Sequence, residues 1–293
     1  LERKPTSSLV STSERPAAEA ERRRFEKWGH GGSCMRLGVI GGTGLVNLDL
    51  RQQLGDSGTL IRQDDVEVET AFGPVPLRLC TVQIGQDEHE VVFLQRHHND
   101  TGHGRPPHVI NHKANLSAMH GANVEAVLSV CSVGAIASTF PPGKVALADQ
   151  YIDFTGVSTT FHDGEATFTS ATVPFSPSLN ERLEAILRTQ QPEFADGPFR
   201  YTYWLTQGPQ FETVAEVDAI ERLGGDMVGM TMPREAKLAL ELDLPYAAVC
   251  ISSNWAAGRD PADSEKALDH LDVSAQANDR LGPVWACITG MLT

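Results

Sequence analysis

From residue 36 onward, short apolar runs alternate with amphipathic segments at nearly even intervals, and this pattern constrains the fold more than any other feature. RLGVIGGTGL (36–45) reads as a strand entering a Gly-rich turn. VEVETAFGPVPLRLCTVQIG (66–85) and HEVVFLQRH (89–97) read as strands, with a Gly/Pro turn between them. HVINHKANLSAMHGAN (108–123) has apolar residues at helical spacing and Gly121 as a stop. VEAVLSVCSVGA (124–135), GKVALADQYIDF (143–154), DMVGMT and YAAVCISS read as further strands. Helices are expected over 176–190, 211–225 and 233–244, and over 262–292 with a break near Gly282-Pro283. Such alternation predicts an α/β fold with a central, largely parallel or mixed sheet flanked by helices. No linker divides residues 36–293, which are expected to form a single domain.

Composition narrows the function classes. A net charge of −14 lacks the basic footprint of a nucleic-acid binder and does not suit an anionic membrane as partner. An anionic small substrate remains open, because one pocket can oppose the global charge. No apolar run approaches the roughly 18 residues of a membrane span. The five cysteines are scattered and have no CxxC spacing, so neither a disulfide scaffold nor a zinc site is indicated. That usage fits a reducing cytoplasm. Residues 1–35 are polar and rich in Ser, Pro, Ala, Glu and Arg, the composition of a disordered extension. No apolar h-region follows their charges, so they are not a secretory signal. Met35 directly precedes the first strand, so either the natural product begins there or the extension is dispensable.

Polar groups collect where the predicted strands end, the place where open α/β sheets meet their ligands. GGTGL (41–45) offers backbone N–H groups and the Thr43 hydroxyl to an anion. It is not a dinucleotide fingerprint, since GxGxxG from Gly42 requires Gly at position 47, which is Asn; nor does GK[ST] follow. The alternative is a tight turn that needs glycine for backbone reasons. Arg96 and His97 follow an apolar strand directly, and a guanidinium fork beside an imidazole suits an oxyanion. The stretch 95–112 also holds His98, His103, His108 and His112. It has no HExxH, no acid at helical spacing, and Pro106-Pro107 breaks it, so a metal site is not expected. A solvated polar loop is the bland alternative there. Cys131 and Ser132 sit in a strand end without a GxSxG elbow, and Cys131 reads as a buried, inert thiol. Phe211 opens a helix where a flat ring could be covered, although packing is the default. Thr231 stands before a helix opened by Pro233, suited to an anion. Asn254 ends the strand YAAVCISS and is followed by Trp255, Ala256 and Ala257; it is either an ordinary turn residue or a group that reads a substrate.

In this order, GVIGGTGL, RH, GHxxPPHxINxxAN, PGxxxxxDQYIDFT, TxGPxFET and AEVDAIERLGGDMVGMTMPREAKLALEL resemble the trimeric purine nucleoside phosphorylase family, closest to its methylthioadenosine phosphorylase branch. The resemblance covers nearly all of residues 36–293. It implies a homotrimer that needs neither metal nor organic cofactor, with inorganic phosphate as co-substrate and a purine nucleoside as partner. By motif, Thr43, Arg96, His97 and Thr231 fall on phosphate-binding positions, as do Cys131 and Ser132, where that branch has a Thr-Ala pair. Met230 falls on the ribose position, and Phe211 with Asn254, Trp255 and Ala256 on the base. Three departures stand out. The loop after Arg96 is longer than the usual RHGxxH, His112 replaces a common Tyr, and Asn254 replaces an acidic residue of the base-reading loop. An amide can donate to a 6-oxo group and accept from a protonated N7. The expected reaction is therefore phosphorolysis of a 6-oxopurine nucleoside. S-methyl-5′-thioinosine is favoured, giving hypoxanthine and 5-methylthioribose 1-phosphate; inosine/guanosine and then methylthioadenosine phosphorolysis are the alternatives. A nucleoside-binding module without catalysis is the competing class, and Arg96, His97 and Thr231 argue against it.

Overall fold

The computed structural model describes residues 34–43, 45, 49–55, 58–99, 104–164, 166–268 and 280–293. The polar extension through Ser33, the histidine-loop residues 100–103 with His103, and residues 269–279 lie outside the described residues. Met35, assigned by sequence to the extension, is buried, and its carbonyl accepts from Glu90 N at 2.8 Å, so the fold already includes it.

Nine described strands form one mixed sheet. They are β1 (Arg36–Gly41), β2 (Thr59–Thr70), β3 (Gly73–Ile84), β4 (Asp87–Gln95), β5 (Ala126–Ala135), β6 (Val145–Asp153), β7 (Arg200–Leu205), β8 (Met227–Gly229) and β9 (Tyr246–Trp255). The order is β2-β3-β4-β1-β5-β8-β7-β6-β9, and β9 also pairs with β5. The last five strands therefore close on themselves, while β1 to β4 extend from β5 as an open wing. β1 runs parallel to β4 and β5, and β5 parallel to β9, whereas β8 meets β5 antiparallel. β5 and β9 are buried along nearly their whole length and largely apolar because both of their faces are covered. β2 instead alternates and carries charge along the sheet edge, which blunts that edge against pairing with other chains. Gly73, at φ 117°, closes the β2–β3 hairpin in a conformation that side chains resist.

The described helices are α1 (Leu50–Leu54), α2 (His112–Gly121), α3 (Pro177–Gln190), α4 (Val214–Arg222), α5 (Met232–Glu241) and α6 (Leu281–Gly290). Two of the helices carry a clear local start signal. Ser176 caps α3, and Thr213 with Glu216 forms a reciprocal capping box on α4. α2 begins four residues later than predicted, because Pro107–Val109 form a 3-10 turn and Ile110 is extended. Gly282-Pro283 does not break the C-terminal helix. It lies in the first turn of α6, where proline's missing N–H has no partner to lose, and residues 262–268 are not helical. β7 was not anticipated: RYTYWL is only six residues long and runs straight into the TQGP turn. β9 is two residues longer than the apolar run implied. A register shift sets Val133 opposite Ser252 but Gly134 opposite Asn254, so Ser253 is the extra residue of a bulge.

Candidate active site

A cavity of about 550 Å³ opens where β1, β4, β5, β8 and β9 end. That volume suits a drug-sized ligand. Thr43, Arg96, His97, Ser132, Met230, Thr231, Phe211, Asn254 and Ala256 all line it, so residues spread over more than two hundred positions are gathered on one wall. Cys131 and Trp255 do not line it. Cys131 lies beneath the wall, and Trp255 contributes its carbonyl, which accepts from Asn254 Nδ2 at 2.7 Å.

Arg96 is the most constrained of these groups. Its Nε and Nη2 both donate to the Glu235 carboxylate, the latter at 3.1 Å. Nη1 donates to Val130 O at 3.0 Å and Nη2 to Ser129 Oγ at 2.5 Å. The fork read from sequence as open to an oxyanion is thus closed on Glu235. What Arg96 lends the cavity is its charge and one N–H of Nη1. A buried ion pair is tolerable only when its other polar atoms are also satisfied. Here Ser129 Oγ and Tyr246 Oη each donate to Glu235 Oε2 at 2.9 Å. Burial alone would raise the Glu235 carboxyl, but the Arg96 charge and the hydrogen bonds from Arg96 and Tyr246 outweigh it and hold the group below its usual value. The Gly-rich turn has its explanation here. A Cβ on Gly42 would fall 2.3 Å from Arg96 Nη1, so glycine lets the guanidinium tuck under the turn.

Around this base sit the other groups read from sequence as suited to an anion. His97 Nδ1 lies 2.7 Å from Arg105 O, and Arg105 N donates to His97 O at 2.8 Å. Because a carbonyl only accepts, Nδ1 carries the proton, and the two residues clamp the base of the long loop. Asn115 Nδ2 donates to Arg96 O at 3.3 Å, and its Oδ1 meets His98 Nε2 at 2.8 Å, so α2 fixes the same strand end. Thr231 is the N-cap of α5, yet its side chain makes no capping bond. Ser132 Oγ and Gln95 Oε1 are buried on the cavity wall without a partner. An unpaired buried polar atom costs about 1–3 kcal/mol, which a bound ligand would recover.

His112, which replaces a common Tyr, is buried beside this network with Nδ1 3.8 Å from Glu235 Oε1. Burial drives its pKa down to about 3, and the Arg96 and Arg234 charges help, so the ring is neutral.

The opposite part of the wall is more open. Asn254 is half-buried, and its Oδ1 accepts from Ser253 Oγ at 2.9 Å. Since Nδ2 donates to a carbonyl, the orientation of the amide is fixed, leaving one N–H and one lone pair for a ligand. Glu212 was missed by the sequence reading. It lines the cavity beside Phe211, accepts from Thr206 Oγ1 at 2.6 Å, and burial raises its carboxyl pKa. An acid directly after an aromatic in QGPQFET was the available signal. Glu235 was missed too, because its link to Arg96 spans 139 positions. Met230 packs on the Gly208-Pro209 turn, where a Cβ on Gly208 would fall 2.5 Å from its sulfur.

Residues 36–289 match the family model described as Phosphorylase superfamily. The chain is 36% identical over 247 residues to the 6-oxopurine nucleoside phosphorylase of Pyrococcus furiosus, covering 81% of this chain and 84% of that protein. It is also 36% identical over 260 residues to a Pseudomonas syringae pv. tomato protein named "Probable S-methyl-5′-thioinosine phosphorylase", covering 87% and 97%. Among solved structures, a methylthioadenosine phosphorylase from Schistosoma mansoni in complex with adenine superposes with a TM-score of 0.75 at 22% identity, covering 88% of this chain and 90% of that one. That likeness is one of fold. The family match and the identity of these relatives, both spanning most of the chain, establish that this protein belongs to the phosphorylase superfamily.

Proposed function

We propose that the cavity carries out phosphorolysis of 6-oxopurine nucleosides, with S-methyl-5′-thioinosine as the favoured substrate and hypoxanthine and 5-methylthioribose 1-phosphate as products. The observation that carries this reading is the Asn254 amide on the cavity wall, with one N–H and one lone pair uncommitted. That pair complements O6 and a protonated N7. Glu212 strengthens the reading: N1 of a 6-oxopurine bears a hydrogen that a carboxylate accepts, whereas N1 of adenine is itself an acceptor. The two relatives quoted above carry names for 6-oxo substrates.

Phosphate is assigned to the side with Thr43, His97, Ser132 and Thr231, above the Arg96 charge. The purine is assigned to Phe211, Asn254 and Glu212, with ribose near Met230. Cleavage of the glycosidic bond develops positive charge on the sugar and negative charge on the departing base. The phosphate dianion stabilises the first, and donors fixed in place before reaction stabilise the second. Holding phosphate in line with the anomeric carbon supplies much of the remaining acceleration. Apolar lining residues such as Val228 and Leu268 favour a thioether over a 5′-hydroxyl. The assembly is proposed to be a homotrimer, which sedimentation would test.

The deciding experiment is a substrate panel with and without phosphate: methylthioinosine, inosine, guanosine, methylthioadenosine and adenosine. Methylthioinosine is expected to give the highest kcat/KM, with turnover strictly dependent on phosphate. Inosine in first place would transfer the assignment to the inosine/guanosine reaction. Methylthioadenosine in first place would overturn the base assignment, and turnover without phosphate would mean hydrolysis.

A further inference from the structure

The parallel register of β5 and β9 sets Cys131 directly beside Cys250. Residues in register on neighbouring strands direct their side chains to the same face. Both thiols are buried and free. Neighbouring strands lie about 4.7–4.9 Å apart, within the Cα separations that a disulfide spans. Read from sequence, Cys131 is an inert packing thiol, but its surroundings are polar. Its sulfur lies 3.5 Å from Arg96 Nη2 and 3.5 Å from Ser129 Oγ. Burial pushes this thiol up, yet the Cys250 S–H, the Arg96 charge and Ser129 outweigh it and hold it below its usual value. Burial and the facing sulfur drive Cys250 well above. The sulfur beside the Arg96 guanidinium is the one placed to attack, and Cys250, across the strand pair, the one to resolve.

We propose that Cys131 and Cys250 form an oxidation site, a reversible cross-strand disulfide that acts on the Arg96 network. The oxidant is a hydroperoxide. The Cys131 sulfur attacks one peroxide oxygen and becomes a sulfenic acid, while the other oxygen leaves as water or alcohol. The Cys250 sulfur then displaces the sulfenic oxygen, which departs as water with the Cys250 proton. Two thiols lose two electrons in all, and the O–O bond takes them. A dithiol reverses the reaction by exchange. In parallel strands the two Cα–Cβ bonds point alike, so the Cβ separation stays near the strand spacing. A relaxed disulfide needs about 3.5–4.5 Å, so closing this one draws β5 against β9 and leaves a strained, easily reduced bridge. It also removes the sulfur from Arg96 Nη2 and shifts the backbone next to Ser132 on the cavity wall. Weakened phosphate binding is the expected consequence. That consequence rests on the phosphorolysis reading, whereas the bridge itself does not.

The test uses the full chain in a Cys34→Ser background, because Cys34 is exposed. The protein is treated with hydrogen peroxide, its peptides are mapped without reduction, and the phosphate KM is measured before treatment, after it, and after dithiothreitol. A Cys131–Cys250 peptide pair is expected, with a phosphate KM raised about tenfold, as for the loss of one hydrogen bond to a charged group. Dithiothreitol should restore the starting value. Cys250→Ala should form no bridge and stop at a sulfenic acid on Cys131, trapped with dimedone, whereas Cys287→Ala should behave as the parent. Cys250→Ser serves if the alanine variant fails to fold. Absence of the bridged peptide overturns the site; a bridge that leaves phosphate KM unchanged overturns its action on Arg96. A recoverable loss in Cys250→Ala with no sulfenic acid on Cys131 overturns the action on Arg96. If the reduced enzyme shows no phosphate-dependent turnover, the functional reading fails, and peptide mapping still decides the bridge.

Discussion

Arg96 and Asn254 line the same cavity, yet they are held in opposite ways. Arg96 is 2% exposed and bonded to Glu235, Ser129 and Val130, and Glu235 is held in turn by Tyr246. Asn254 is half-buried, and its side chain hydrogen-bonds to its own neighbours, Ser253 and Trp255. A charge taken out of water needs several partners from different parts of the chain, and those partners constrain one another. An amide at a bulged strand end needs none of this. The Arg96 side, assigned above to phosphate, is therefore expected to resist change, and the Asn254 side, assigned to the base, to accept it. A fold of this kind can keep one reaction while its choice of base drifts.

The largest expected effect attacks the rigid side. Glu235→Ala leaves the Arg96 charge buried without its carboxylate and should cost about 3–5 kcal/mol of stability. Urea unfolding would measure this, and a loss below about 1 kcal/mol would mean that the network does not hold the site. Next comes pH. His112 is neutral in the fold, with a pKa near 3 against 6.5 for an ordinary histidine. Above pH 6.5 neither state binds this proton, so the group adds no pH dependence. As pH falls below 6.5, the unfolded chain takes up a proton that the folded chain refuses, and stability drops. By pH 5 the loss from this group is about 2 kcal/mol. His112→Phe should flatten that slope in thermal melts between pH 7 and pH 5. An unchanged slope would show that another group carries it.

The contrast between the two sides also decided what sequence could reveal. Strand ends are marked locally: glycines, a Thr or an Arg-His pair follow apolar runs, so Thr43, Arg96, His97 and Thr231 were legible. Asn254 was legible as an amide but not as the product of a bulge. The extra residue, Ser253, reveals itself only through its pairing with β5. Glu235 looked like an ordinary helix residue in PREAKLALEL, since nothing in those ten letters points to Arg96 or Tyr246. β7 escaped for a related reason. Tyr201 and Tyr203 are buried by neighbours distant in the chain, and six residues carry little periodicity.

On the adaptable side, Asn254→Asp should lower the ratio of kcat/KM for methylthioinosine over methylthioadenosine by roughly tenfold or more, the scale of one mismatched polar group. Stability should change little, because Asn254 is bonded only locally. An unaltered ratio would move base selection to Glu212 or Phe211.

Ser132 lies between the two regimes and gives the smallest expected effect. Its hydroxyl is buried on the cavity wall, as in the rigid network, yet it has no partner. If it waits for phosphate, Ser132→Ala removes one neutral hydrogen bond from the complex and raises phosphate KM roughly fivefold, for about 1 kcal/mol. The same change relieves the unliganded protein of an unsatisfied hydroxyl, so the apo melting temperature should hold or rise. Opposite signs for binding and stability separate a group reserved for a ligand from one that supports the fold. A variant that melts lower and binds phosphate normally would place Ser132 with the structural residues beneath it.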